Sequence, residues 1–170
     1  IPNKVGCSMY IRPVMFGSEP TLQVRASREF IHFVLLSPVG PYFGNELNCI
    51  SIYVEQENIR AAYGGTGNVK TTANYAQSIQ TSEKIFKLGF DQVLWLDAIH
   101  KKYIEELSGM NIMFLYKDKT LKTPILSGTI LPGITRDTII TLSKSLGYNV
   151  IEDQLDINQI LHDINSNKII

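Results

Sequence analysis

Apolar residues along this chain recur with a spacing that switches between two and 3.6, which predicts strands and helices in alternation and a mixed α and β (α/β) fold. Residues 8–15 and 30–36 read as strands, the second a continuous apolar run, FIHFVLL, suited to a buried position. SPVGPYFGNE follows, and its two prolines and two glycines break regular structure over 37–46, marking an interdomain linker or an active-site loop. LNCISIYVEQ alternates as a half-exposed strand should. After a Gly-rich loop, Tyr75, Ile79, Ser82 and Phe86 share one helical face, Gly89 ends that helix, and QVLWL predicts a buried strand. NIMFLYK and DKTLKTPIL form a hairpin turning at Asp118 and Lys119. Thr135 caps a helix running to Leu146, Gly147 ends it, NVIEDQL is the next strand, and a last helix starts at Asp156.

At 170 residues the chain fits one ordinary domain or pieces of two. Sixteen Lys and Arg balance sixteen Asp and Glu, so no net field draws in nucleic acid or an acidic membrane surface. No apolar run approaches the roughly 18 residues of a membrane span. Cys7 and Cys49 make no disulfide framework, and with His32, His100 and His162 scattered singly no metal site is expected. The chain opens without an initiator Met and without the features of a signal peptide, so it reads as a fragment.

Two segments carry candidate chemistry by themselves. GGTGNVKTT places Gly64, Gly65 and Gly67 before Lys70, but a nucleotide-triphosphate loop needs Gly immediately before the lysine, and Val69 stands there. In LPGITRD, Pro132 and Gly133 fix a turn after which Ile134 and Thr135 present amides at a helix N-terminus, a ready site for phosphate; an ordinary helix cap fits the same residues.

Four blocks in order sharpen both readings: YIRPVMFGSEPTLQV, FVLLSPVGPYF, GGTGNVKTTANYAQS with VLWLD, and E-x-x-x-M-N with LSGTILPGITRD. Together they resemble the fold-type IV pyridoxal-phosphate enzymes, and within these the branched-chain amino acid aminotransferases, over essentially the whole chain. The resemblance implies a two-domain enzyme in which residues 1–39 end the small domain, 40–46 connect, and 47–170 form most of the large cofactor-binding domain. In relatives, further phosphate contacts come from segments before and after the region represented here.

The implied cofactor is pyridoxal 5'-phosphate. Lys70 matches the lysine that forms a Schiff base with it and shuttles a proton, a pairing of nucleophile and base in one amine. Tyr75 matches the residue bonded to the cofactor's phenolate oxygen, and Glu106 the carboxylate beside the pyridine nitrogen, with Glu105 left as a solvated surface charge. Leu131 would pack on the pyridine face while Ile134 and Thr135 hold the phosphate. On the substrate side the resemblance implies Tyr10, Arg12, Tyr42 and the backbone of Gly109, with Leu22 and Val24 on a loop that crosses a homodimer interface. The implied substrates are leucine, isoleucine, valine, their 2-oxo acids and glutamate, in the cytoplasm or a mitochondrion. A D-amino acid aminotransferase or an aminodeoxychorismate lyase shares the fold, but Y-I-R-P and G-P-Y-F argue against both. Retention of Lys70, Tyr75 and Glu106 argues against a non-catalytic relative.

Overall fold

The computed structural model describes residues 2–41 and 49–170, and the chain divides into two compact units, Ile1–Cys49 and Ile50–Ile170. In the first, β1 (Ser8–Gly17) and β2 (Phe30–Val39) form an antiparallel hairpin in unbroken register from Ser8 opposite Val39 to Gly17 opposite Phe30. Both strands outrun their predicted ends. Ser37, Pro38 and Val39, expected in a loop, pair with Tyr10, Met9 and Ser8, because a two-stranded sheet consists of edges and edges tolerate a residue without an N–H. The FIHFVLL run, expected to be buried, is exposed throughout among the described residues, because a two-stranded sheet by itself leaves both of its faces open. The remainder of the predicted linker, with Tyr42, lies outside the described residues.

The second unit is built from two parallel pairs, each joined through a helix. β3 (Ile52–Val54) runs parallel to β4 (Gln92–Leu96), with α1 (Thr72–Lys87) between them in sequence, and β5 (Ile104–Leu107) adds antiparallel to β4. β6 (Phe114–Leu115) and β7 (Thr120–Pro124) form the hairpin expected at Asp118 and Lys119, and β8 (Asn149–Asp153) lies parallel to β7 after α2 (Ile134–Ser145). α3 (Ile157–Asn165) closes the chain, its cap Asp156 accepting from the Asn158 N–H at 2.9 Å. β3 is much shorter than the alternation of LNCISIYVEQ predicts: Leu47 and Asn48 are not described, and pairing with β4 covers three residues.

β4 explains the continuous apolar run QVLWL, because both of its faces are covered. Leu94 and Leu96 point into a cluster with Ile104, Leu107, Leu155, Ile157 and Ile160, while Val93 and Trp95 pack with Ile85 of α1. β5 was not foreseen as a strand. Its sequence, IEEL, carries two adjacent glutamates, yet all four residues are buried, so Glu105 is a core residue and not the solvated charge expected. On α1 the inward residues are Asn74, Ser78, Ser82 and Ile85, whereas Ile79 and Phe86, expected to share one face with Tyr75 and Ser82, are exposed. Hydropathy misses this stripe because serines line it. Ser78 Oγ donates to the Asn74 carbonyl at 3.3 Å and Ser82 Oγ lies 3.2 Å from Ser108 Oγ, so the buried hydroxyls are satisfied.

Among the described residues no helix is long and apolar enough to cross a membrane, and no group of His, Cys, Asp or Glu residues is arranged to hold a metal ion.

Candidate active site

The loop before α1 is shaped by Asn74. This buried side chain donates to the carbonyls of Thr66 at 2.7 Å and Val69 at 2.9 Å and accepts from the Thr66 hydroxyl at 2.8 Å. Three bonds from one amide fix the turn that presents Lys70. Gly67 matters for a different reason: a Cβ there would collide with the Thr129 carbonyl and the Ala61 side chain, so only glycine lets the lysine loop lie against the 127–131 segment. From this loop Lys70 Nζ donates to Tyr75 Oη at 2.8 Å, five residues further along and one turn into α1.

Tyr75 lines a cavity of about 340 Å³ together with Glu106, Gly109, Leu131, Ile134 and Thr135. Lys70 joins the group through its bond to Tyr75. Glu106 lies in the wall from β5, 6% exposed, where desolvation by burial pushes its carboxyl up to about 7 although several groups oppose the shift. Its Oε1 is 3.0 Å from Arg60 Nη1, and its Oε2 accepts from the Leu131 N–H at 3.2 Å and, at 3.3 Å, from Asn111 Nδ2. Asn111 Nδ2 also donates to the Leu131 carbonyl at 2.9 Å, tying the glutamate to the Leu131 segment. Alternation along β5 turns Glu105 to the opposite face. There desolvation by burial raises its carboxyl, and Oε2 has no hydrogen-bond partner among the described residues.

The N-terminus of α2 lines the same cavity. Gly133, not Thr135, is the cap, with no side-chain cap bond, so the first-turn amides of Ile134 and Thr135 stand beside the cavity with positive helix-end charge and no capping acceptor. Thr135 falls inside the first turn because extended backbone ends at Gly133, whose carbonyl already accepts from the Asp137 N–H at 3.1 Å. Arg136 anchors this helix: Nη2 donates to the Pro124 carbonyl and to Glu152 Oε2, each at 2.8 Å, which locks α2 onto β7 and β8. Gly133 itself is constrained, since a Cβ would strike Asn111 Oδ1, and Asn111 is held in place by its two bonds. Gly133→Ala is therefore expected to destabilise the protein by about 1–3 kcal/mol in urea unfolding. Gly109→Ala, which meets open space, should change stability by less than about 0.5 kcal/mol.

Tyr10, Arg12, Leu22 and Val24 belong to the hairpin unit. Arg12 donates to the Tyr10 hydroxyl and its guanidinium carbon lies 5.0 Å from the Tyr10 ring centroid. The loop bearing Leu22 and Val24 is pinned by Glu19, which binds the Arg25 guanidinium at 2.5 and 2.9 Å and the Arg28 N–H at 2.8 Å. Both apolar side chains are fully exposed at its tip. Three residues of the cavity region escaped sequence reasoning: Arg60, Asn74 and the side chain of Asn111. The only sequence signal was the Asn closing K-T-T-A-N and the Asn of M-N.

The amino-transferase class IV family model matches residues 2–164. The chain belongs to the class IV aminotransferases. It is 48% identical to branched-chain-amino-acid transaminase 1 of Bacillus subtilis over 161 residues, 94% of this chain and 45% of that protein. A crystal structure of the Escherichia coli branched-chain amino acid aminotransferase shares the fold at a TM-score of 0.74 and 31% identity, covering 89% of this chain and 50% of that one. The branched-chain amino acid aminotransferase of Thermobaculum terrenum, solved in its pyridoxal-phosphate form, matches at a TM-score of 0.76 and 25% identity over 89% of this chain and 48% of its own. The chain thus spans about half the length of the class IV relatives it matches.

Proposed function

We propose that this chain forms the cofactor-binding part of a branched-chain amino acid aminotransferase that moves the amino group of L-leucine, L-isoleucine or L-valine to 2-oxoglutarate with pyridoxal 5'-phosphate. The observation that carries this reading is the convergence of an amine, a buried carboxylate and an uncapped helix N-terminus around one cavity. The names of the B. subtilis and E. coli relatives and the cofactor in the T. terrenum structure support it. Residues 1–39 are read as the end of the small domain, 40–46 as the connection and 47–170 as the large domain.

The residues fit that cofactor. Glu106, with its carboxyl held near 7 by burial, is a site that gains from a cationic N–H donor such as a pyridinium. The Ile134 and Thr135 amides suit a phosphate, and Leu131 offers an apolar flat to a ring. When bound, the cofactor supplies a carbonyl that condenses with amines and a ring that delocalises the electron pair left on Cα. Lys70 supplies the covalent tether and, once displaced, takes the proton from the substrate Cα. Tyr75 Oη, 2.8 Å from Nζ, orients that amine. Glu106, when ionised, keeps a proton on the ring nitrogen.

Tyr10, Arg12, Tyr42 and Gly109 are read as substrate contacts, aromatic rings suiting branched aliphatic side chains and the guanidinium suiting a carboxylate. Leu22 and Val24, fully exposed on a pinned loop, are read as the part that enters a second copy's pocket in a homodimer. The bacterial source of the B. subtilis relative favours a cytoplasmic setting over a mitochondrial one. Single-turnover spectroscopy of the cofactor-loaded protein with L-leucine, D-alanine and aminodeoxychorismate tests the assignment. Conversion by L-leucine alone is expected; conversion by D-alanine or aminodeoxychorismate in its place would reassign the enzyme within the fold.

A further inference from the structure

Arg60 is a buried cation with no role in the reading above. It is 5% exposed and touches three segments at once. Nη1 pairs with Glu106 Oε1 at 3.0 Å on β5, while Nη2 donates to the Thr129 carbonyl and, at 3.4 Å, to the Gly67 carbonyl of the lysine loop. Gly67 in turn lies so close to the Thr129 carbonyl that no Cβ fits between them. A guanidinium is suited to this junction because its fork satisfies acceptors in different directions while remaining charged at every working pH.

We propose that Arg60 is a positioning residue for the proposed transamination: it holds Glu106 ionised and ties that carboxylate to the loop that presents Lys70. The proposal rests on the reading of Glu106 as the partner of the ring nitrogen. The charged groups acting on Glu106 are Arg60 and Lys70, which favour its ionised form, and Glu105, which opposes it. Of the two cations, Arg60 is the one that forms an ion pair with the carboxylate among the described residues, at 3.0 Å. Burial favours the neutral form of Glu106, and a neutral acid cannot keep a ring nitrogen protonated by charge. Arg60 supplies the opposing field, and its fork sets where along β5 that charge sits relative to Lys70.

The test follows the Glu106 carboxyl by 13C NMR in cofactor-free protein, the resonance being assigned by its disappearance in Glu106→Gln. Arg60→Gln is expected to raise the titration midpoint by about 1 to 3 in pH, as loss of an adjacent opposite charge does. Arg60→Lys should hold it near the wild-type value. In cofactor-loaded Arg60→Gln the acid limb of leucine turnover should move to higher pH in the same direction, because the ionised form is lost as pH falls through the midpoint. An unchanged midpoint in folded Arg60→Gln overturns the proposal. If Arg60→Gln does not fold, the double variant Arg60→Gln/Glu106→Gln decides: recovery of folding means that the uncompensated carboxylate was the defect, as proposed. Failure of the double variant as well makes Arg60 a backbone clamp and overturns the proposal. The NMR arm contains neither cofactor nor amino acid, so its failure is distinguishable from failure of the substrate assignment.

Discussion

Lys70→Ala is expected to abolish amino transfer, lowering leucine turnover by at least about 10²–10⁴-fold, the range that loss of a positioned acid–base group alone produces. Loss of the covalent tether adds to that. Lys70 stands on the surface of its loop, with its amine bonded to Tyr75 Oη, so folding stability should change by less than about 0.5 kcal/mol. Lys70→Arg separates charge from chemistry. Arginine keeps the positive charge near Glu106 but offers no neutral amine, and it should be as inactive as alanine. Turnover and urea midpoints measured on both variants check this, and a substantially active Lys70→Arg would show that the amine acts only through its charge.

Glu106→Gln is expected to lower turnover by roughly a hundredfold or more, the few kcal/mol of a charge-assisted hydrogen bond in a buried site. Cofactor binding should survive better than turnover, because the amide keeps the shape and can still accept from the Leu131 N–H. Glu105→Gln provides the contrast. That carboxylate is buried on the other face of β5 with one oxygen unpartnered, and desolvation by burial raises it, with Arg60 and the Thr129 hydroxyl opposing. A raised carboxyl makes the native state hold its proton more tightly than the unfolded chain does. The contribution of Glu105 to wild-type stability therefore falls as pH rises from about 4.5, the unfolded value, through the raised native one. Glu105→Gln removes that decline, so its stability relative to wild type should grow as pH rises above about 4.5 while turnover changes little. A large turnover loss at Glu105 and a small one at Glu106 would exchange their roles.

The elements that could be read in advance are those whose signals are local. The Asp118–Lys119 turn rests on an Asp carboxylate that accepts from the Thr120 N–H at 2.9 Å and on one positive-φ residue, Lys119. Gly89 and Gly147 end their helices at positive φ, and Asp156 caps α3. What stayed hidden depends on partners distant in sequence. β5 looks too charged for a core strand until Arg60, some 45 residues earlier, is placed against Glu106. The polar stripe of α1 is buried because Ser82 meets Ser108, whose hydroxyl also accepts from Trp95 Nε1 at 3.2 Å. FIHFVLL reads as core, yet apolar content alone does not say which layer covers it. For the candidate site, Lys70, Tyr75, Glu106 and the α2 N-terminus were visible as ordered motifs, whereas the residues that brace them, Arg60, Asn74 and Asn111, act through several polar contacts each, mostly to backbone carbonyls, that no apolar periodicity or motif records.

The central claim, that Lys70, bonded to Tyr75 in the wall of this cavity, is the covalent attachment point, is tested most directly by trapping. The protein is incubated with pyridoxal 5'-phosphate, reduced with borohydride, digested and mapped by mass spectrometry. The expected result is one phosphopyridoxyl group on the peptide carrying Lys70, with none on that peptide in Lys70→Arg. Stoichiometric labelling of a different lysine, with Lys70 unmodified, would contradict it.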